Sequence, residues 1–217
     1  FIFQNHYMKR LIFLPVVFFV LFSHAQKTDK KLQRQLQELI SGFHGDVGLY
    51  VYDLKHNRTV AINADTLFPT ASIVKIPILI GIMDKIRKGE LDYHQHVMYT
   101  DSLYYSEGDD ILSRFKDSSQ IELGKVIMLM LTISDNCASL WLQGLSGGGI
   151  RINRILDSMG YQFTRVNSRT EGREANRSVY GWGQTTPREI ATLMKQIVDG
   201  KVFSKEVSDK MLRVLGR

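Results

Sequence analysis

Ser72-Ile73-Val74-Lys75-Ile76-Pro77-Ile78-Leu79-Ile80-Gly81-Ile82-Met83-Asp84-Lys85-Ile86-Arg87-Lys88 is a strongly apolar run that ends at Gly89. It reads as a helix with a glycine stop. Its first four residues form a Ser-x-x-Lys motif. At that spacing both side chains lie on one helical face. The amine can hydrogen-bond the hydroxyl and, when neutral, accept its proton, while the N–H groups and positive dipole end of the helix favour an oxyanion forming beside it. Pro77 is awkward for this reading, because a proline beyond the first turn removes a donor and kinks a helix. The motif alone is weak: a second copy, Ser113-Arg114-Phe115-Lys116, lies in a polar stretch without a helix start and reads as accidental.

Downstream the pattern stays helical. Residues 119–133 open with a Ser119-x-x-Glu122 capping box, 137–145 end in Ser146-Gly147-Gly148-Gly149, and further helices are expected at about 150–159, 187–198 and 205–215. For 187–198, Thr186 is the expected N-cap, Pro187 the first-turn proline and Glu189 the reciprocal cap. Upstream, Leu32, Leu36, Leu39 and Ile40 give an amphipathic helix over 28–40, and Val47, Leu49 and Val51 alternate with polar or small residues before the turn Lys55-His56-Asn57-Arg58 and a second short strand over 59–62. The fold class is therefore mixed α/β: a helical part plus an antiparallel sheet of which only two strands are visible. A two-stranded hairpin is marginal alone, so further strands are expected beyond the sequence given.

The composition fits one globular domain: 217 residues, 44% hydrophobic and 23% charged. Met8-Lys9-Arg10, the apolar run from Leu11 to Phe22 and the small residues Ser23-His24-Ala25 form a signal-peptide pattern. Residues 1–25 are thus expected to be removed, with 1–7 preceding the true start, and 26–217 to be the catalytic domain of a periplasmic or secreted protein. The apolar run is shorter than the roughly 20 residues that span a bilayer, so no membrane contact is expected after signal removal. The net charge of +6 is scattered and interleaved with acids, which argues against nucleic acid as a partner. Cys137 is the only cysteine, which excludes an internal disulfide; it reads as a small buried hydrophobe. His94-Gln95-His96 is the only close histidine pair, and the position two residues after the second histidine is Met98 rather than an acid, so these read as solvated loop residues and no metal or other cofactor is expected.

Two more elements bear on chemistry. Ser134-Asp135-Asn136 lies between two apolar helical segments. Positions two apart diverge on a helix but can point the same way in an extended connection, so a short non-helical link could aim Ser134 and Asn136 into one cleft; the competing reading is an ordinary helix N-cap. The long irregular stretch over about 161–186 contains Arg169-Thr170-Glu171 and Tyr180-Gly181-Trp182-Gly183-Gln184. Loops of that length are often functional. Glu171 is a candidate for ordering a water, Glu174 competes with it, and both also fit solvated loop charges.

Together, in this order and with 62 positions from Ser72 to Ser134 and 37 from there to Glu171, these motifs resemble the class A β-lactamases and the wider penicillin-recognising serine enzymes, whose motif set is Ser-x-x-Lys, Ser-Asp-Asn and Lys-Thr-Gly. The resemblance covers roughly residues 30–217, including Thr185-Thr186-Pro187 at the start of the helix after the loop. It implies that Ser72 attacks a lactam carbonyl, with Lys75 or a Glu171-held water taking the proton. Ser134 would then relay a proton to the departing nitrogen, Asn136 bind the substrate's side-chain amide and help hold Lys75, and Glu171 activate the hydrolytic water. The partner implied is a small β-lactam, and the protein is expected to be a monomer. The sequence departs from the pattern twice. Ala175 stands four residues after Glu171 where the family has Asn, Asn176 being the nearest, and no Lys-Thr-Gly strand precedes Arg217. Loss of one oxyanion donor costs about 2.7–4 kcal/mol, so the 217-residue chain by itself is expected to be inactive or poorly folded. The rival readings are a D,D-peptidase or transpeptidase that acylates without an efficient deacylating glutamate, and a lactam-binding sensor domain.

Overall fold

The computed structural model describes residues 27–105 and 110–216; the expected signal segment lies outside them. The apolar run 72–88 forms the centre of the molecule, with a 3-10 turn at Ala71–Val74 leading into α2 (Lys75–Arg87). This division resolves the difficulty with Pro77. As the third residue of α2 it falls among the N–H positions that a helix leaves unpaired. Ile78, Leu79, Ile80 and Ile82 are all fully buried, as expected of a helix apolar on every side. Around α2 pack α3 (Leu123–Thr132), α4 (Asn136–Leu145), α5 (Gly148–Ser158) and α8 (Lys205–Leu215).

The hairpin forms as expected from β2 (Leu49–Asp53) and β3 (Arg58–Ile62), antiparallel with Val51 opposite Val60. A two-residue strand, β1 (Lys27–Thr28), joins it in parallel to β3. Helix α1 (Lys30–Ile40), capped by Asp29, packs against β3, and α7 (Pro187–Val198) packs against β2.

Three local expectations are corrected. Residues 120–122 are not a first helical turn: β6 (Gln120–Glu122) pairs with β5 (His96–Met98), and α3 starts only at Leu123, so Ser119 and Glu122 form no capping box. The apolar alternation of Ile121 and Leu123 served both periods, and pairing with Val97 decided it. The stretch 161–186 is not irregular throughout. It contains β7 (Arg165–Val166), α6 (Glu174–Tyr180) and β8 (Gly183–Thr185), and β8 lies between β7 and β4 (Phe68–Pro69). Gly183 is needed there, since a Cβ would sit 2.7 Å from Thr70 Oγ1 and 2.9 Å from the Arg165 carbonyl. Finally, Thr186 does cap α7 by accepting the Glu189 N–H, but Glu189 does not reciprocate. Its carboxylate accepts the N–H groups of Gln162, Phe163 and Thr164 and the Thr164 hydroxyl.

That carboxylate ties the start of the 161–186 segment to α7. Glu189→Ala is expected to lower stability by about 2–3 kcal/mol, the cost of orphaning N–H groups bonded to a charged acceptor, as read by urea denaturation.

Candidate active site

Ser72 is exposed in the 3-10 turn that precedes α2, whereas Lys75, at the first position of α2, is only 3% exposed. The turn is entered through Ala71 at φ 44°, a left-handed conformation that costs a side-chain-bearing residue energy. A second such residue, Ser134 at φ 62°, lies in the break between α3 and α4. There the backbone leaves the helix for three residues. The link is not the extended one expected, since Ser134 is left-handed and Asn136 already opens α4, yet both side chains reach Lys75 Nζ. The N-cap reading of the same triplet also holds, for Asp135, whose carboxylate accepts the Ala138 N–H at 2.8 Å.

Lys75 Nζ is the hub of the group. It bonds Ser134 Oγ at 2.7 Å, Asn136 Oδ1 at 3.0 Å, Ser72 Oγ at 3.4 Å and the Ser134 carbonyl. Ser134 Oγ lies 2.8 Å from Ser72 Oγ. Four of the five candidate residues therefore converge: Ser72, Lys75, Ser134 and Asn136. Burial pushes the Lys75 amine below its ordinary value, opposed by the charges of Asp110 and Asp135, which favour the ammonium. An exposed hydroxyl with a partly desolvated amine behind it can pass its proton inward while its oxygen takes an acyl group from a molecule on the solvent side.

Glu171 is not brought into this group. It is exposed and makes no hydrogen bond or ion pair among the described residues. Its neighbours in the segment are firmly held. Ser168 exchanges bonds with Gln143, and Arg173 donates to Asn167 Oδ1 and Gln184 Oε1. Glu174, its competitor, is also exposed and, among the described residues, accepts only the nearby Gly172 N–H.

Sequence reasoning missed Asp110, which is 5% exposed and accepts the Asn136 N–H at 2.7 Å. The available signal was that Asn136, placed by its motif at the head of a buried helix, needs an acceptor for its N–H. Asp110, Asp135 and Cys137 form the one group among the described residues with metal-ligand atoms close together. All four carboxylate oxygens already contact hydrogen donors, and burial pushes the Cys137 thiol up to about 11. Such a donor set suits the neighbouring ammonium better than a metal, which needs free oxygens and a thiolate. Cys137 is fully buried, in keeping with its reading as a small hydrophobe. His94 and His96 are exposed on the β5 side, His94 against Glu122.

A model of the beta-lactamase enzyme family matches residues 31–217. Beta-lactamase VEB-1 of Pseudomonas aeruginosa is 22% identical over 94% of this chain and 69% of its own length. Beta-lactamase SME-1 of Serratia marcescens is 26% identical over 85% of the chain and 62% of its own length. The chain thus spans about two thirds of these relatives. Among solved structures, a PBP-A mutant in its acyl-enzyme complex with penicillin G superposes with a TM-score of 0.76 at 28% identity, covering 87% of this chain and 69% of that one. The family model's match spans the positions of all four converging residues, and on it the chain belongs to the beta-lactamase enzyme family.

Proposed function

We propose that the protein is a serine hydrolase of the class A β-lactamase type, in which Ser72 opens a β-lactam ring and carries the acyl group as an ester. The observation that supports this best is the continuous path from Ser72 Oγ through Ser134 Oγ to Lys75 Nζ, at 2.8 and 2.7 Å. The direct Ser72–Lys75 separation, 3.4 Å, is outside the roughly 2.6–3.2 Å that a general base needs. Both legs through Ser134 are inside it. The Ser72 proton would therefore pass to Lys75 by way of Ser134 as Oγ attacks the carbonyl. Ser134 would then return a proton to the ring nitrogen as the C–N bond breaks. Asn136, with Oδ1 on Lys75, keeps its amide hydrogens for the substrate.

The substrate class is a β-lactam, acted on outside the cytoplasm after export by the 8–25 segment; no helix among the described residues is long and apolar enough to cross a membrane. The test is intact-mass spectrometry after exposure of the protein, expressed from its complete reading frame, to benzylpenicillin. One adduct per chain is expected, and its complete absence at saturating drug contradicts the proposal.

A second reading is favoured by one observation, the exposure of Glu171. An acyl-enzyme without a positioned base deacylates slowly, as in a D,D-peptidase-like or sensor protein. If Glu171 is the deacylating base, Glu171→Gln should lengthen the adduct lifetime by about 100-fold or more. If it is a solvated loop charge, the lifetime should stay within twofold, and the wild type should already hold its adduct for minutes, as followed by mass against time.

A further inference from the structure

We propose that Asp110 is a positioning residue of this site, its carboxylate fixing the first turn of α4 so that Asn136 Oδ1 meets Lys75 Nζ. The inference rests on the reading of Ser72 and Lys75 as the acylating pair. Asp110 Oδ1 accepts the Asn136 N–H at 2.7 Å, and the carboxamide of the same Asn136 accepts from Lys75 at 3.0 Å. The bond is half of a reciprocal clasp. Asp135 Oδ2, from the active-site link, accepts the N–H of Leu112, two residues beyond Asp110, at 3.0 Å. Each segment therefore offers a carboxylate to the other's backbone. Asp110 is itself anchored, its carbonyl accepting from Ser113 Oγ at 2.6 Å. Slippage of either strand of the clasp would carry Asn136 away from the amine.

Charge gives Asp110 a role that a plain helix cap would lack. Among the described residues, every hydrogen-bond partner of Lys75 is a neutral oxygen. Among the described residues, the anions that act on the ammonium are Asp110 and Asp135, and both favour it against the cost of burial. Among the described residues, the titratable groups packed around these carboxylates include Cys137 on α4, whose thiol lies 3.9 Å from Asp110 Oδ2 and stays protonated, Tyr105, whose backbone bonds Cys137, and Tyr99, whose hydroxyl burial pushes up. From the 161–186 segment, Glu171 remains in solvent.

The test compares Asp110→Asn, which keeps an acceptor oxygen and removes the charge, with Asp110→Ala, which removes both, by acylation rate against pH. With Asp110→Asn the limb governed by Lys75 should move to lower pH by about one unit, because loss of an anion disfavours the ammonium whichever form of Lys75 is active. With Asp110→Ala the rate at the optimum should also fall about tenfold or more, the loss that misplacing a reacting group brings. A profile and rate unchanged in both variants overturn the proposal. Should the wild type take up no penicillin, the acylation reading fails by itself, and the crystal structure of Asp110→Ala then decides: Asn136 Oδ1 displaced from Lys75 Nζ sustains the positioning role, and an unmoved contact ends it.

Discussion

Ser72→Ala protein is expected to acquire no penicillin adduct and to lose lactam turnover by on the order of 10⁶-fold, the scale of loss when a serine nucleophile that acts as a unit with its base is removed. The expectation follows from position. Ser72 Oγ is the one exposed member of the hydroxyl–hydroxyl–amine path, and Ser134 and Lys75 lie behind it. With the hydroxyl gone, Ser134 Oγ keeps its bond to Lys75 but sits deeper in the break between helices. The same exposure separates chemistry from folding. A surface side chain away from caps and cores changes stability by only about 0.5 kcal/mol, so the melting temperature of Ser72→Ala should match the wild type. An adduct that persists in this variant would move the nucleophile elsewhere, with Ser134 the first residue to examine.

The part of this site legible in the sequence was the part written in local spacing. Ser72 and Lys75 are three apart on one helical face, and Ser134 and Asn136 are two apart in a break between apolar runs, so local geometry suffices to pair them. Two readings of Ser134-Asp135-Asn136 competed, and the triplet divides the work without the extended backbone expected: Asp135 caps α4 while its neighbours face Lys75. What spacing could not supply was anything depending on contact between distant segments. Asp110 meets Asn136 across 26 positions, and Glu189 meets Gln162 across 27. Local rules assigned Glu189 to its own helix cap, yet three N–H groups at 162–164 needed an acceptor and outbid it. Glu171 shows the converse case. The motif register singled it out within the segment, but whether a loop carboxylate turns inward depends on the loop's anchors, and those at Ser168 and Arg173 hold the segment without engaging it.

The largest effect on stability should come from Asp84, which the sequence presents as one more charge near the end of an apolar helix. It is 1% exposed and carries three cations: Arg87 at 2.5 Å, Lys88 at 2.9 Å and Arg151 reaching across from α5. Arg151 also donates to the Ser146 carbonyl, so one guanidinium joins α2, α4 and α5 around this carboxylate. Burial acts to raise the Asp84 carboxyl, and the hydrogen bonds and charges of Lys88 and Arg87 outweigh it, holding the group below its ordinary 3.8. Asp84→Ala leaves cations that can turn partly to water, which puts the cost near the lower end of the range for a broken buried pair, about 3 kcal/mol. For a domain of this size that is a fall in melting temperature of about 6–12 °C. The pH dependence follows from the depressed value: the unfolded chain binds the proton more readily, so the contribution is complete above 3.8 and disappears as the pH falls through the lower folded value. The stability gap between wild type and Asp84→Asn should therefore be constant from neutral pH down to about pH 5 and close below 3.8 in denaturant titrations across that range. A gap that instead opens as the solution is acidified would mean that burial wins and the carboxyl is held neutral.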